Sequence, residues 1–264
     1  MRNRKLAATL ILMIFTAFSC SAKGKVDKKN ENIKSSVTNE NVAKSVTKLN
    51  LTEKSRYSLA YMWHEEKLAY DIYSNLNKLY PTRQFQNISN SEARHISMVE
   101  YLVSDYNIDI TNIKDLDGKY SVDTLKNMPI GEFKIEAIQE LYNLLYEKGK
   151  KSKVDALQVG CMVEVTDVDD LDKFILEAKN NTDLISTYER LKAGSYNHYW
   201  AFDRGLKNEG ITNGCCSLGS VNGVNYCKTE KEYPSMHGKG MRNGNGNRRG
   251  KGMRNGRGNG NCNR

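Results

Sequence analysis

The stretch ISNSEARHISMVEYL, residues 88–102, carries the spacing that decides the fold. Its regularly spaced positions recur at alternating intervals of four and three residues, which is typical of a helix packed against other helices. Those positions are Ile88, Glu92, His95, Val99 and Leu102. A glutamate is almost never fully buried unless it is paired or bound to a metal. The stretch therefore predicts a packed helix with a polar pair, Glu92 and His95, on its buried face.

Three other segments repeat this spacing, and a titratable side chain interrupts each of them. The interrupting residues are Glu66, Glu164 and His198. A further helix over about residues 131–148 fits the long connection between the second and third segments, because Pro129 and Gly149 mark its ends. The pattern predicts an all-α fold: a four-helix bundle with one long crossover connection that carries an extra helix.

The polar residues on the four predicted helices fall at one level, which points to a metal site. Burying several carboxylates without compensation is costly, and two divalent cations would remove that cost. Glu92 and His95 are three residues apart and share a helix face, so both side chains can reach one ion. Taken alone, this pair is better explained by a helix start that the glutamate caps, with the histidine satisfied in the core.

Other polar residues near these positions are interpreted from their neighbours. Asp167 lies three residues after the glutamate of the third helix and is a candidate ligand. The alternative for Asp167 is a solvated acidic face that continues through Asp169, Asp170 and Asp172. His64 and Glu65 are predicted at the surface, with Glu65 in an ion pair with Lys67 or with a neighbouring helix. Tyr73 is expected to pack in the core, with a hydrogen bond to a ligand carboxylate as the alternative.

Four short motifs together resemble one known family. They are WHEEKLA at 63–69, SEARH at 91–95, EVTDVDDL at 164–171 and GSYNH at 194–198. Over about residues 52–208 the chain resembles the bacterial and archaeal domain of unknown function numbered 2202. That family is placed among the ferritin-like, rubrerythrin-related proteins, so the resemblance implies a ferritin-like bundle.

The resemblance also implies a centre of two iron, or manganese, ions. By that resemblance the ligands are Glu66, Glu92, His95, Glu164 and His198. Ser195 departs from the pattern, because it stands where the fourth helix would carry a glutamate. Asp167 is the carboxylate that could replace it. The implied activity is a non-haem di-iron oxidoreductase that handles iron, oxygen or peroxide.

Residues 1–20 resemble an export signal of the lipoprotein type. A basic start precedes an uncharged run over residues 6–18, which is short for a membrane span. Cys20 follows in a lipoprotein-like cleavage box and would become the lipid-modified first residue. The sequence therefore predicts an extracytoplasmic lipoprotein held at the membrane through Cys20. The alternative is an ordinary signal peptide cut near Ser19 or Ala22, which would give a secreted protein.

The rest of the chain divides into a tether, a body and a tail. Residues 21–50 are polar without helical spacing and are expected to form a flexible tether. Residues 51–208 form the predicted ferritin-like helical domain. Residues 209–264 are a Cys-containing, Gly/Asn/Arg-rich low-complexity segment that we expect to be a disordered tail.

The net charge of +9 belongs to the two ends of the chain. The segment after residue 235 carries eight basic residues and no acidic one, and the first five residues carry three more. The body between them is therefore mildly acidic. The basic tail supports a second hypothesis, in which a non-catalytic envelope lipoprotein binds anionic polymers or surfaces. A second copy of the chain, as a homodimer, is a further candidate partner.

In an oxidising environment outside the cytoplasm, the late cysteines of the chain could form disulfides. Cys215, Cys216, Cys227 and Cys262 cluster late in the chain, and disulfides or free thiols are the favoured interpretation. A separate metal site that includes His237 is the alternative. Cys161 is expected to be a small buried hydrophobe on the third helix.

Overall fold

The computed structural model describes residues 51–108 and 122–235. The predicted signal peptide with Cys20 and the tether over 21–50 lie outside the described residues. The basic segment over 236–264 lies outside them as well. The expectations for those segments therefore stay predictions.

Helices dominate the described residues, which confirms the all-α prediction. The four long helices are α1 (Glu53–Leu79), α2 (Arg83–Asp105), α5 (Lys153–Ala178) and α6 (Thr182–Asn208). Two shorter helices, α3 (Val122–Lys126) and α4 (Glu136–Gly149), lie in the connection between α2 and α5. Across residues 51–108 and 122–235, no helix has the length and apolar character needed to cross a membrane.

Each long helix begins at a residue whose side chain caps its first turn. The capping residues are Thr52, Thr82, Ser152 and Asn181, and each accepts a hydrogen bond from the backbone N–H three residues later. A cap of this kind stabilises a helix by about 1 kcal/mol. Short connections join α1 to α2 and α5 to α6, so each pair forms a helical hairpin.

The two helical hairpins pack on each other around one core, in which α1 contacts α5 and α2 contacts α6. Tyr73 on α1, Phe85 on α2 and Phe202 on α6 meet with ring centroids 5.1 to 6.2 Å apart. Gly160 on α5 makes room for them, because a Cβ atom there would lie 2.5 Å from the ring of Phe202. All four long helices therefore contribute to this aromatic layer.

A buried ion pair ties the crossover connection to α1. The Lys67 ammonium donates to the carboxylate of Asp71. It also donates to the backbone carbonyls of Pro129 and Glu132, and these two distances are both 3.3 Å. Asp71 also accepts the N–H of Gly131 at 2.8 Å. Helix α4 then packs across α1 and α5. The crossover therefore covers a face of α1 that would otherwise be exposed.

Two sequence predictions for α1 are wrong for this reason. The surface positions predicted for His64 and Glu65 are in fact buried, at 0 % and 8 % exposure. Lys67 does not pair with Glu65, since its ammonium is engaged by Asp71. Burial and the nearby Lys67 lower the pKa of His64 to about 3, so its ring is neutral near pH 7.

The segment after the last long helix is folded as far as the structure describes it, up to residue 235. Residues 209–235 pack on the bundle and contain a 3-10 helix, Gly214–Leu218, followed by an antiparallel hairpin. Its strands are β1 (Ser220–Val221) and β2 (Val224–Asn225). The sequence of this segment has no helical spacing of apolar residues, and it therefore resembles a disordered tail. In the structure its Tyr226 is nevertheless buried.

Disulfides explain how this segment stays packed. Cys161 on α5 is bonded to Cys215, and Cys216 is bonded to Cys227. The sequence predicted a small buried hydrophobe at Cys161. The residue is buried, but its sulfur crosslinks α5 to the segment after α6. The disulfide expectation holds for Cys215, Cys216 and Cys227, which as bonded sulfurs are not available as thiolate ligands. Cys262 lies outside the described residues.

Candidate metal centre

Five of the predicted site residues converge inside the bundle, and their helices come from both hairpins. They form two overlapping groups, one of Glu66, Glu92 and His95 and one of Glu92, Glu164 and His198. Within each group, the candidate ligand atoms all lie within 4.8 Å of one another, and every member is buried. Glu92 belongs to both groups. The polar residues that were predicted to lie at one level of the bundle thus form one connected cluster.

The first group centres on the Nδ1 atom of His95. That atom lies 2.7 Å from Glu92 Oε2, on the same helix, and 3.2 Å from Glu66 Oε2, on α1. Gly194 on α6 makes room for the ring, because a Cβ atom there would lie 2.6 Å from Cε1 and Nε2 of His95. The close approach of α6 therefore holds Nδ1 toward the carboxylates.

The second group centres on the Nδ1 atom of His198. That atom lies 2.9 Å from Glu92 Oε1 and 3.5 Å from Glu164 Oε2. The two imidazole rings stack with centroids 5.4 Å apart and planes inclined by 26°. The two carboxylate oxygens of Glu92 therefore face different histidines. Glu92 is the residue that links the two groups.

Tyr73 orients the carboxylate of Glu164. Its hydroxyl donates to Glu164 Oε1 at 2.5 Å, which leaves Oε2 for the side of His198. Burial raises the pKa of Tyr73 well above its ordinary value, and the negative charge of Glu164 adds to the shift. The hydroxyl therefore stays protonated and remains a donor. The hydrogen bond to a candidate ligand is the alternative that the sequence left open for this tyrosine.

Asp167 is buried beside the cluster but belongs to neither group. Its Oδ2 atom accepts a hydrogen bond from Ser195 Oγ at 2.5 Å. Ser195, which stands where the resemblance implies a glutamate, thus contacts the carboxylate that was predicted to replace that glutamate. Burial raises the pKa of Asp167 well above its usual range, and Glu66 adds to the shift.

The neighbouring carboxylates favour the protonated, positively charged forms of the two histidines in the cluster. Burial alone would raise the pKa of Glu92, but His198 and His95 hold it below its usual range. Burial would lower the pKa of His198, yet Glu92 and Glu164 raise it to about 10. The pKa of His95 is raised by Glu66 and Glu92 against the effect of burial. In the metal-free protein both imidazoles are therefore cationic at neutral pH.

The cluster could hold a metal ion in place of these protons. Glu66 Oε1 is buried, and it has no hydrogen-bond partner within the part of the chain that the structure describes. Burial also raises the pKa of Glu66 to about 7, although His95 opposes the shift. A mixed set of carboxylate and imidazole donors suits iron, manganese and zinc. Glu66 Oε1 could act as a ligand of a bound ion. Metal binding at both groups would also displace the protons from the rings of His95 and His198.

Sequence reasoning missed a second buried carboxyl pair next to the cluster. Glu65 and Asp170 hydrogen-bond to each other, and burial raises the pKa of both. The signal for Asp170 was present, since Glu164, Asp167 and Asp170 repeat every three residues along α5. The neighbouring acids made that repeat resemble a solvated face. Glu65 gave no signal, because its burial depends on the crossover.

Comparisons with known proteins agree with the helical fold. A family model described as an uncharacterized protein domain (DUF2202) matches residues 55–222. The uncharacterized protein MJ0754 of Methanocaldococcus jannaschii is 41% identical over 160 residues, which span 61% of this chain and 79% of the relative. The crystal structure of hypothetical protein MJ0754 from that archaeon superposes with a TM-score of 0.56 at 35% identity, covering 75% of this chain and 95% of the other.

Proposed function

The chain belongs to the DUF2202 family, and we propose that its helical domain binds two divalent metal ions in a ferritin-like centre. The ions would be held by Glu66, Glu92, His95, Glu164 and His198. The observation that carries the proposal is the position of Glu92. Its two oxygens lie 2.7 and 2.9 Å from the Nδ1 atoms of two different histidines. A carboxylate placed in this way can serve two ions at once.

A purely structural role for the cluster is the competing explanation. Buried ion pairs add little stability, because desolvation offsets their attraction, and apolar side chains of similar volume often serve as well. The cluster also leaves Glu66 Oε1 buried without a partner among the described residues. An unsatisfied buried carboxylate oxygen is destabilising. Metal binding explains both the choice of residues and this unsatisfied oxygen.

Iron is the metal that the proposal favours, with manganese as the alternative. Two such ions that share carboxylate ligands can supply electron transfer to oxygen or peroxide. The protein would contribute a buried environment and a fixed carboxylate, since Tyr73 donates to Glu164. We therefore propose an oxidoreductase that handles iron, oxygen or peroxide. Ser195 in place of a glutamate leaves the centre one carboxylate short of the pattern that the resemblance implies.

Metal analysis of the purified full chain tests the proposal. The protein is stripped with a chelator while its disulfides stay oxidised, and it is then loaded with ferrous ion without oxygen. We expect about two ions per chain. The variant Asp172→Asn is a matched control, because this exposed carboxylate on α5 pairs with Lys192 outside the cluster. Fewer than about one ion per chain in the wild type would contradict metal binding.

The redox part of the proposal needs its own test. The loaded protein is mixed with oxygen or peroxide, and ferrous oxidation is followed against the same concentration of free ferrous ion. We expect faster oxidation in the protein. Equal rates, together with two bound ions, would leave a metal-binding protein without this activity.

The two disulfides support the proposed location outside the cytoplasm, because such bonds persist in oxidising compartments. Lipid attachment at Cys20 is tested by labelling cells with a radioactive fatty acid and isolating the protein. We expect label in the wild type and none in Cys20→Ala. An unlabelled wild type recovered from the medium would support secretion instead.

A further inference from the structure

A cleft opens beside the candidate metal centre, between α1, α4 and α5. Its interior offers about 40 Å³ to the centres of water-sized molecules. Most of its walls are apolar, with Leu68, Leu141 and Met162 among them. Three lining residues are instead buried carboxylates: Glu65, Asp167 and Asp170. Among the residues that the structure shows around the cleft there is no lysine or arginine.

The carboxylates connect the cleft to the centre in regular steps. Asp170, Asp167 and Glu164 follow one another at intervals of three on α5, so each successive pair is adjacent on the helix surface, about 5 to 6 Å apart between Cβ atoms. Asp170 and Asp167 line the cleft, whereas Glu164 belongs to the group around His198. Asp167 is therefore the intermediate position between the cleft and the centre.

Glu65 gives the independent sign that the cleft takes a ligand. This residue is 8 % exposed, and it lines the cleft. Its Oε2 atom is fully buried and has no hydrogen-bond partner within residues 51–108 and 122–235. Its neighbour in the cleft, Asp170, is a second carboxyl group that hydrogen-bonds to Glu65, so a bound cation would replace the proton that the pair shares. An unpartnered buried oxygen beside a second carboxylate is an arrangement that a cation would satisfy.

We propose that this cleft is the uptake site through which divalent cations reach the metal centre. Glu65 and Asp170 would bind the ion first, and Asp167 would pass it to Glu164. The apolar walls strengthen the attraction, because charges interact more strongly where water is excluded. Carboxyl groups three residues apart on α5 would give the ion a ligand at each stage of this path. The inference rests on the proposed metal-binding function.

Two quantities separate this inference from the function on which it rests. The final number of ions per chain tests metal binding, and the rate of binding tests the uptake path. Stopped-flow mixing of the metal-free full chain with cobalt(II) follows the rate through the visible absorption of the bound ion. A wild type that binds no cobalt, ferrous or manganous ion would remove the proposed function itself.

The variants Glu65→Gln and Asp170→Asn each replace one carboxyl group of the cleft with an amide of almost the same shape. We expect each to slow cobalt binding by at least about tenfold, the lower end of the range for electrostatic steering. The final stoichiometry should equal that of the wild type. Asp172→Asn, two residues further along α5 and exposed, is the control and should bind at the wild-type rate.

A steric variant tests the path without touching a carboxylate. Leu141→Trp on α4 places a larger side chain in the wall of the cleft, and we expect slower binding with unchanged stoichiometry. Thermal unfolding of each variant checks that it is folded. Binding within about twofold of the wild-type rate in all three cleft variants would overturn the uptake path. A lower final stoichiometry in Asp170→Asn would also overturn it, because that residue would then belong to the centre.

Discussion

Glu92 Oε1 on α2 lies 2.9 Å from His198 Nδ1 on α6. The other oxygen of the same carboxylate lies 2.7 Å from the histidine one turn away on its own helix. One buried carboxylate is thus shared by two imidazoles that come from different helical hairpins. The contact also ties α2 to α6 at the level of the cluster. The proposed function depends on this sharing more than on any other contact in the bundle.

The shared position predicts unequal effects of two conservative substitutions. Glu92→Gln removes a negatively charged carboxylate from both groups of candidate ligands. Glu66→Gln removes one only from the group around His95. We expect Glu92→Gln to bind fewer than about one ferrous ion per chain and Glu66→Gln to keep about one. Metal analysis after anaerobic loading measures the difference. Equal losses in the two variants would show that Glu92 does not serve both ions.

Removal of the tyrosine hydroxyl should weaken the group around His198. Tyr73→Phe leaves Glu164 Oε1 without its donor, so the carboxylate is free to turn away from its ligand position. Loss of such a supporting hydrogen bond typically costs about tenfold or more in metal affinity. Competition with a coloured chelator measures the affinity of the weaker ion. Tyr188→Phe is the control, since its hydroxyl contacts Ser58 instead. An unchanged affinity in Tyr73→Phe would remove this role.

The metal-free protein should lose stability as the pH rises. Contact with Glu92 and Glu164 raises the pKa of His198 from 6.5 to about 10 against the effect of burial. Burial raises the pKa of Glu66 from 4.5 to about 7. In both cases the folded protein holds its proton more tightly than the unfolded chain does. The resulting stability is fully present below the unfolded pKa and is lost as the pH passes the folded pKa.

Urea denaturation of the metal-free protein at pH 6.5, 8 and 9.5 measures this effect, a loss on the order of a few kcal/mol. The variant His198→Gln should flatten the dependence above pH 7. The metal-loaded protein should not share it, because ion binding requires deprotonated rings. A free energy of unfolding that rises with pH in the metal-free protein would contradict the protonated imidazoles.

The long helices, and the position of five polar residues at one level of the bundle, could be predicted from the sequence. Both features depend on the spacing of residues within single helices. Glu92 and His95 lie three residues apart, and that spacing holds in any packed helix. The burial of Glu65 could not be predicted in this way, since it depends on where the crossover connection lies. The pairing of Cys161 with Cys215 was equally out of reach, because several pairings fit the same sequence.

The two disulfides should differ in their effect on stability. Cys161 and Cys215 are separated by 54 residues, and Cys216 and Cys227 by 11. In the chain-entropy model, a longer closed loop stabilises more, about 4 kcal/mol for the first bond and about 3 kcal/mol for the second. Paired substitution by alanine, followed by urea denaturation, compares them. A larger loss for the shorter loop would show that strain or contacts outweigh loop closure.

Crystallography of the iron-loaded protein tests the central claim most directly. Diffraction recorded on both sides of the iron absorption edge locates each ion by its anomalous signal. The proposal predicts two peaks about 3.5 to 4 Å apart. One should lie beside Nδ1 of His95 and the other beside Nδ1 of His198, with the carboxylate of Glu92 reaching both. A loaded crystal without a peak in this cluster, or with one ion that Glu92 does not contact, would contradict the proposal.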